Sequence, residues 1–98
     1  MLNHTVLFWL KTTLSKESLQ AFQKGLESLK GISDVESVIV GKPTATDRPV
    51  IDRSYTFGLN VVFKSMAEHD RYQVHPIHKK FLETFSSYWT KVLVYDFE

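Results

Sequence analysis

Ninety-eight residues make one domain and not comfortably two. Twelve basic and 11 acidic side chains are interspersed and leave a net charge of +1, so neither a basic stripe for nucleic acid nor an acidic tail is present. Cysteine is absent, which removes disulfides, thiolate nucleophiles and Cys-ligated metals together and fits a reducing, cytoplasmic setting.

The opening MLNHTVLFWLK has no basic leader, and Lys11 interrupts its apolar run, so it reads as neither a signal peptide nor a membrane span. Residues 3–11 are rich in β-branched and aromatic side chains and too short for a stable helix, which predicts a first strand. His4, Val6, Phe8 and Leu10 fall on one face, and Thr5, Leu7 and Trp9 on the other. Ser15 is placed to cap a helix with Glu17 in its first turn. Leu19, Phe22, Leu26 and Leu29 form its apolar stripe, and Lys30-Gly31 is the expected stop. Residues 35–42 alternate and predict a second strand. Residues 43–53 hold two prolines and little apolar surface, and predict a loop.

Residues 55–63 predict a third strand, with Tyr55, Phe57, Leu59, Val61 and Phe63 on one face. Ser65 and Glu68 form a capping box for a short helix reaching about Gln73. Pro76 forces His75 out of the α region and suits the first turn of a new helix running to about Ser87. Residues 91–97 predict the last strand. The order β-α-β-β-α-β, of α+β class, is that of a ferredoxin-like protomer. Helices on one side cover only one face of such a sheet. Leu7, Trp9, Leu93, Tyr95 and Phe97 belong to the other face. So wide an apolar patch predicts a homodimer joined sheet to sheet about a two-fold axis.

Four histidines, at 4, 69, 75 and 78, are the candidates for chemistry. His69 stands among Glu68, Asp70 and Arg71 and reads as solvated surface. His4 lies on the strand face that should meet the helices, where it needs a polar partner. His78 or Tyr72 is positioned in sequence to supply one. One reading is a pocket between helices and sheet, lined by Phe8, Phe22, Leu59 and Val61, with an imidazole and a phenol at its end. Such a pair suits proton abstraction, ring closure or isomerisation of a small aromatic or polyketide-like compound. The other reading is structural. His75 then bonds backbone at the helix junction, His78 acts as a local cap, and His4 is a satisfied core histidine. The turn at Pro76 spoils helical spacing for metal binding by His75 and His78, and no third ligand is evident, so no metal site is expected. A Gly-rich phosphate loop is absent too, and no cofactor is implied.

Several segments together carry a family likeness: HTVLFWLK, GISDVESVIVGK, YTFGLNVVF, YQVHPIH and the closing KVLVYDFE. They resemble, in order and over nearly the whole chain, the stress-responsive dimeric α/β-barrel (Dabb) family. The H-P-x-H step with its preceding Tyr and the terminal V-x-D-F are the most specific parts. The resemblance implies a ferredoxin-like protomer whose sheet pairs with its twin to close a barrel. Most members of that family have no established activity and several are linked with stress responses in plants, which implies a non-catalytic stress-response or interaction protein as the alternative to an enzyme. One branch comprises polyketide cyclases that use a histidine base and a tyrosine. Carried over by motif, His78 is the base and Tyr72 the orienting hydroxyl, with His4 and His75 in support. The cyclase branch has a further histidine where this chain has Phe57, which makes the expected pocket more apolar at that point.

Overall fold

The computed structural model describes residues 1–98. Strand β1 (Leu2–Leu10) buries Leu2, His4, Val6, Phe8 and Leu10 and leaves the alternate residues half-covered, as its period of two requires. Helix α1 (Lys16–Glu27) starts at Ser15, whose hydroxyl accepts the Ser18 N–H at 3.1 Å. Its stripe sinks Phe22 and Leu26 into the core. The helix ends earlier than the Lys30-Gly31 signal implies. It tightens into a 3₁₀ turn over Ser28–Gly31, and the Ser28 hydroxyl donates to the Gly25 carbonyl at 2.6 Å. No glycine adopts a positive φ, so Gly31 is not a left-handed cap. Gly25 is needed for another reason: a Cβ there would overlap the Phe85 ring.

Strand β2 (Ser37–Gly41) and strand β3 (Phe57–Phe63) are shorter than the alternation suggests. Single hydrogen bonds extend each by a residue: Glu36 N–H to the Val62 carbonyl at 2.8 Å and Thr56 N–H to the Phe8 carbonyl at 2.7 Å. Residues 43–53 form no helix or strand, as predicted, and just after them Trp9 Nε1–H donates to Ser54 Oγ at 2.9 Å. Helix α2 (Met66–Val74) is capped by Ser65, which accepts the Glu68 N–H. His75 then turns extended, at φ −66° and ψ 140°, and helix α3 (Pro76–Phe85) begins with its proline in the first turn. Strand β4 (Trp89–Phe97) starts two residues before the predicted 91, because Trp89 pairs with Leu10 across a register shift.

The four strands form one antiparallel sheet in the order β2-β3-β1-β4. With the three helices on one face, this is the ferredoxin-like fold. Phe8, Phe22, Leu26, Phe57, Leu59, Val61, Phe63 and Phe81 fill the space between the layers. The helices reach over β2, β3 and β1 but stop short of β4. Val92 and Val94 point to the helix side and are still 38% and 48% exposed. On the outer face Leu93 stands opposite Leu7, Tyr95 opposite Thr5 and Phe97 opposite Asn3. Tyr95 and Phe97 are more than half exposed there. No helix is long and apolar enough to cross a membrane.

Candidate functional site

Where the helices fall short of β4, a cavity of about 220 Å³ opens between the layers. That exceeds the roughly 150 Å³ of an engineered apolar cavity that holds benzene. Val6, Phe8, Leu29, Leu59, Phe81, Trp89, Val92 and Val94 make its apolar walls. His4, Tyr72, Gln73 and His78 gather at its polar end.

The helix break builds that end. Tyr72 and His78 are six residues apart, which in a continuous helix puts them about 240° apart around the axis. The extended His75 and the restart at Pro76 rotate α3 against α2 and bring the two rings to 4.6 Å between centroids. Burial pushes the Tyr72 phenol far above its usual range, so it is a hydrogen-bond donor at any physiological pH. Burial likewise pushes the His78 imidazole below its usual value; the Gln73 backbone opposes this, and His4 and His69 reinforce it. His78 Nδ1 is buried and has no hydrogen-bond partner in the chain. A neutral imidazole with an unpartnered nitrogen beside a protonated phenol is a base beside an acid.

His4 enters from β1, directly opposite Asp96 of β4. Its Nδ1 meets Asp96 Oδ1 at 2.6 Å, so the carboxylate supplies the partner that the buried ring requires. His4 is edge-on to Tyr72, with centroids 6.0 Å apart, and to His69 at 5.4 Å. His69 is therefore not the solvated surface residue that its charged neighbours imply. It shares a helix face with Tyr72, three positions on, and its ring packs edge-on against Phe63.

Of the residues singled out from sequence, His4, Phe8, Leu59, Tyr72 and His78 meet at the cavity. Phe22, Phe57 and Val61 do not line it. They lie beneath, in the sealed aromatic core, where Phe22 contacts Phe57 at 5.6 Å and Phe8 at 5.2 Å. All three point inward as period and stripe require. The alternation places a residue on a face but not at a depth, so wall and core were indistinguishable. His75 also stays outside. Its Nδ1 accepts the Ile77 N–H at 3.1 Å and caps α3, the structural role its place before Pro76 allows. Asp96, His69 and Trp89 were missed. Period two along β4 puts Asp96 on the inner face with Val92 and Val94, and that was the available signal.

Comparison with known proteins agrees with this fold. The Stress responsive A/B Barrel Domain (Dabb) family matches residues 2–98. Olivetolic acid cyclase of Cannabis sativa is 25% identical over 95 residues, spanning 96% of this chain and 92% of its own. A dimeric ferredoxin-like protein of unknown function from Thermobifida fusca superposes with a TM-score of 0.80 at 18% identity, covering 98% of this chain and 88% of that one. Hydroxynitrile lyase from Passiflora edulis gives 0.80 at 21% identity, covering 98% and 90%. With the family matched from the second residue to the last and the same fold in the two solved structures, the chain belongs to the stress-responsive A/B barrel (Dabb) family.

Proposed function

We propose that the chain acts as a homodimer that binds a small aromatic or polyketide-like carbonyl compound in the β4-side cavity and performs lyase- or cyclase-type acid–base chemistry on it. One observation carries this reading. A neutral imidazole with an unpartnered, buried nitrogen sits 4.6 Å, ring to ring, from a phenol that burial keeps protonated, at the polar end of an apolar cavity. His78 takes a proton from the carbon beside a ligand carbonyl. The electron pair moves onto the carbonyl oxygen, and the Tyr72 hydroxyl donates to the enolate that forms. The enolate carbon attacks a second carbonyl of the same ligand, and His78 returns the proton to the resulting alkoxide. Proton and electron pair are thus both accounted for. The cyclase and lyase among the relatives support the reaction class. The dimeric neighbour and the uncovered outer face support the assembly. The lack of cysteine supports a reducing compartment, and we place the protein in the cytoplasm.

The test is a thermal-shift screen of the purified chain against aromatic and β-keto acids, followed by turnover assays on the hits. A ligand at 100 times its Kd stabilises by about 2.7 kcal/mol. For a domain of this size that is on the order of 10 °C or more in Tm. Tyr72→Phe and His78→Ala should keep the fold and abolish turnover. A panel with no hits, or hits turned over equally well by His78→Ala, would sink the reading.

A further inference from the structure

We propose that His4, His69 and Asp96 form a binding site for a divalent transition metal of the zinc class at the mouth of the cavity. One ligand atom from each residue lies within 4.8 Å of the other two. The three come from β1, α2 and β4, separated by up to 92 positions, so no sequence motif announces them. Tetrahedral zinc with bonds of about 2.0–2.1 Å needs ligand atoms roughly 3.3 Å apart. Reaching that spacing takes up to about 1.5 Å of closure, while His4 Nδ1 and Asp96 Oδ1, now hydrogen-bonded at 2.6 Å, move apart; the exposed Asp96 side chain can rotate to supply both.

The surroundings resemble those of a ligating histidine. Asp70 Oδ1 stands 3.2 Å from His69 Nδ1, so a carboxylate backs that ring. This assigns the proton to Nδ1 and makes Nε2 the acceptor of the Gln73 amide N–H at 3.3 Å, a hydrogen bond that an incoming metal ion would replace. A carboxylate behind an imidazole fixes its tautomer and strengthens it as a ligand. Two imidazoles with one carboxylate suit zinc, cobalt or nickel, and disfavour magnesium and calcium, which take oxygen ligands. The His4–Asp96, His69–Asp70 and His69–Gln73 hydrogen bonds hold the three side chains in place in the metal-free chain. Three protein ligands leave a coordination position open. Because His4 lines the cavity, that position lies beside the bound compound. The site is independent of the acid–base reading, since metal binding needs neither turnover nor His78.

The experiment uses tag-free chain stripped with chelator and titrated with Co²⁺, then with Zn²⁺ in competition. A visible cobalt spectrum saturating at one ion per chain and displaced by zinc is expected, with a rise in Tm at saturating zinc. His69→Gln and Asp96→Asn are at the rim and should fold normally, and each should weaken binding by about tenfold or more. His75→Asn removes a histidine outside the site and should bind like the parent. Absence of stoichiometric binding overturns the proposal. So does binding that survives both rim substitutions, or that falls equally in His75→Asn. Loss of turnover in His78→Ala with metal binding intact would leave the acid–base reading standing and the metal site with it.

Discussion

His75 offers a sharp test, because two roles follow from its sequence and the structure selects one. It stands at the break between α2 and α3 and accepts the Ile77 N–H with Nδ1 at 3.1 Å. Replacing it with Ala removes the acceptor and leaves a first-turn N–H with only water. Loss of an N-cap costs about 0.5–2 kcal/mol, typically about 1. A domain of 60–100 residues loses roughly 4–8 °C in Tm per kcal/mol, so His75→Ala should melt about 2–16 °C lower, centred on about 6 °C. Asn is among the best capping residues, and His75→Asn should melt at or above the parent temperature. Both should bind a cavity ligand with parent affinity when measured well below their melting points. Calorimetric or fluorescence melting with ligand titration reads both quantities. If His75→Asn melts as low as His75→Ala, the capping argument is wrong. If both keep the parent Tm but lose affinity, His75 belongs to the binding site after all.

Two further predictions concern the outer face and the acid limb. Tyr95→Asp with Phe97→Asp puts uncompensated carboxylates into the proposed dimer face, where burying a charge costs several kcal/mol. The dimer Kd should rise by at least about 100-fold, which corresponds to roughly 3 kcal/mol, while circular dichroism stays that of the folded protomer. Sedimentation of the parent chain as a monomer at high concentration would remove the premise. His78 is held below its ordinary value in the folded state by burial, against the Gln73 backbone and with His4 and His69 nearby. Between that lowered value and the unfolded value near 6.5 the unfolded chain binds more protons, so stability is full above the unfolded value and falls as pH drops. His4, His69 and Tyr72 face the ring, and Asp96 stands behind His4, so the informative quantity is the difference between parent and His78→Gln. The parent's Tm should fall more steeply than the variant's between pH 7 and pH 5. Parallel curves would show that His78 does not titrate differently on folding.

Much of the fold was legible because local patterns and global architecture agree. The two faces of β1, the Ser15 and Ser65 caps and the His75-Pro76 break are all encoded within a few residues of where they act. Boundaries drifted where long-range contacts decided them. Trp89 joins β4 only because it pairs with Leu10, and Gly25 is required only because Phe85 of another helix lies against it. The site divides the same way. Tyr72 and His78 are neighbours in sequence, and their meeting depends on a break that the proline announces. His4, His69 and Asp96 lie far apart, and their meeting depends on the β1–β4 register and on which face α2 turns downward. Charged neighbours made His69 look solvated, because Glu68, Asp70 and Arg71 describe its other side.

The cavity itself follows from coverage. Helices packed on a twisted sheet of this size seat well over the central strands and leave an edge. Here the edge is β4, and its two faces meet different surroundings. The inner face, Val92, Val94 and Asp96, is only partly covered by the helices, so the space beside α3 opens there, next to His4, Tyr72 and His78. The outer face, Leu93, Tyr95 and Phe97, is apolar, and Tyr95 and Phe97 are more than half exposed. One strand thus forms the rim of the cavity on one side and a large part of the proposed dimer face on the other. A partner packed on Tyr95 and Phe97 would hold β4 in place, and with it Asp96, whose carboxylate fixes the His4 ring beside Tyr72. In the proposed dimer, the edge that a lone protomer leaves uncovered would then also set the position of His4 at the candidate site.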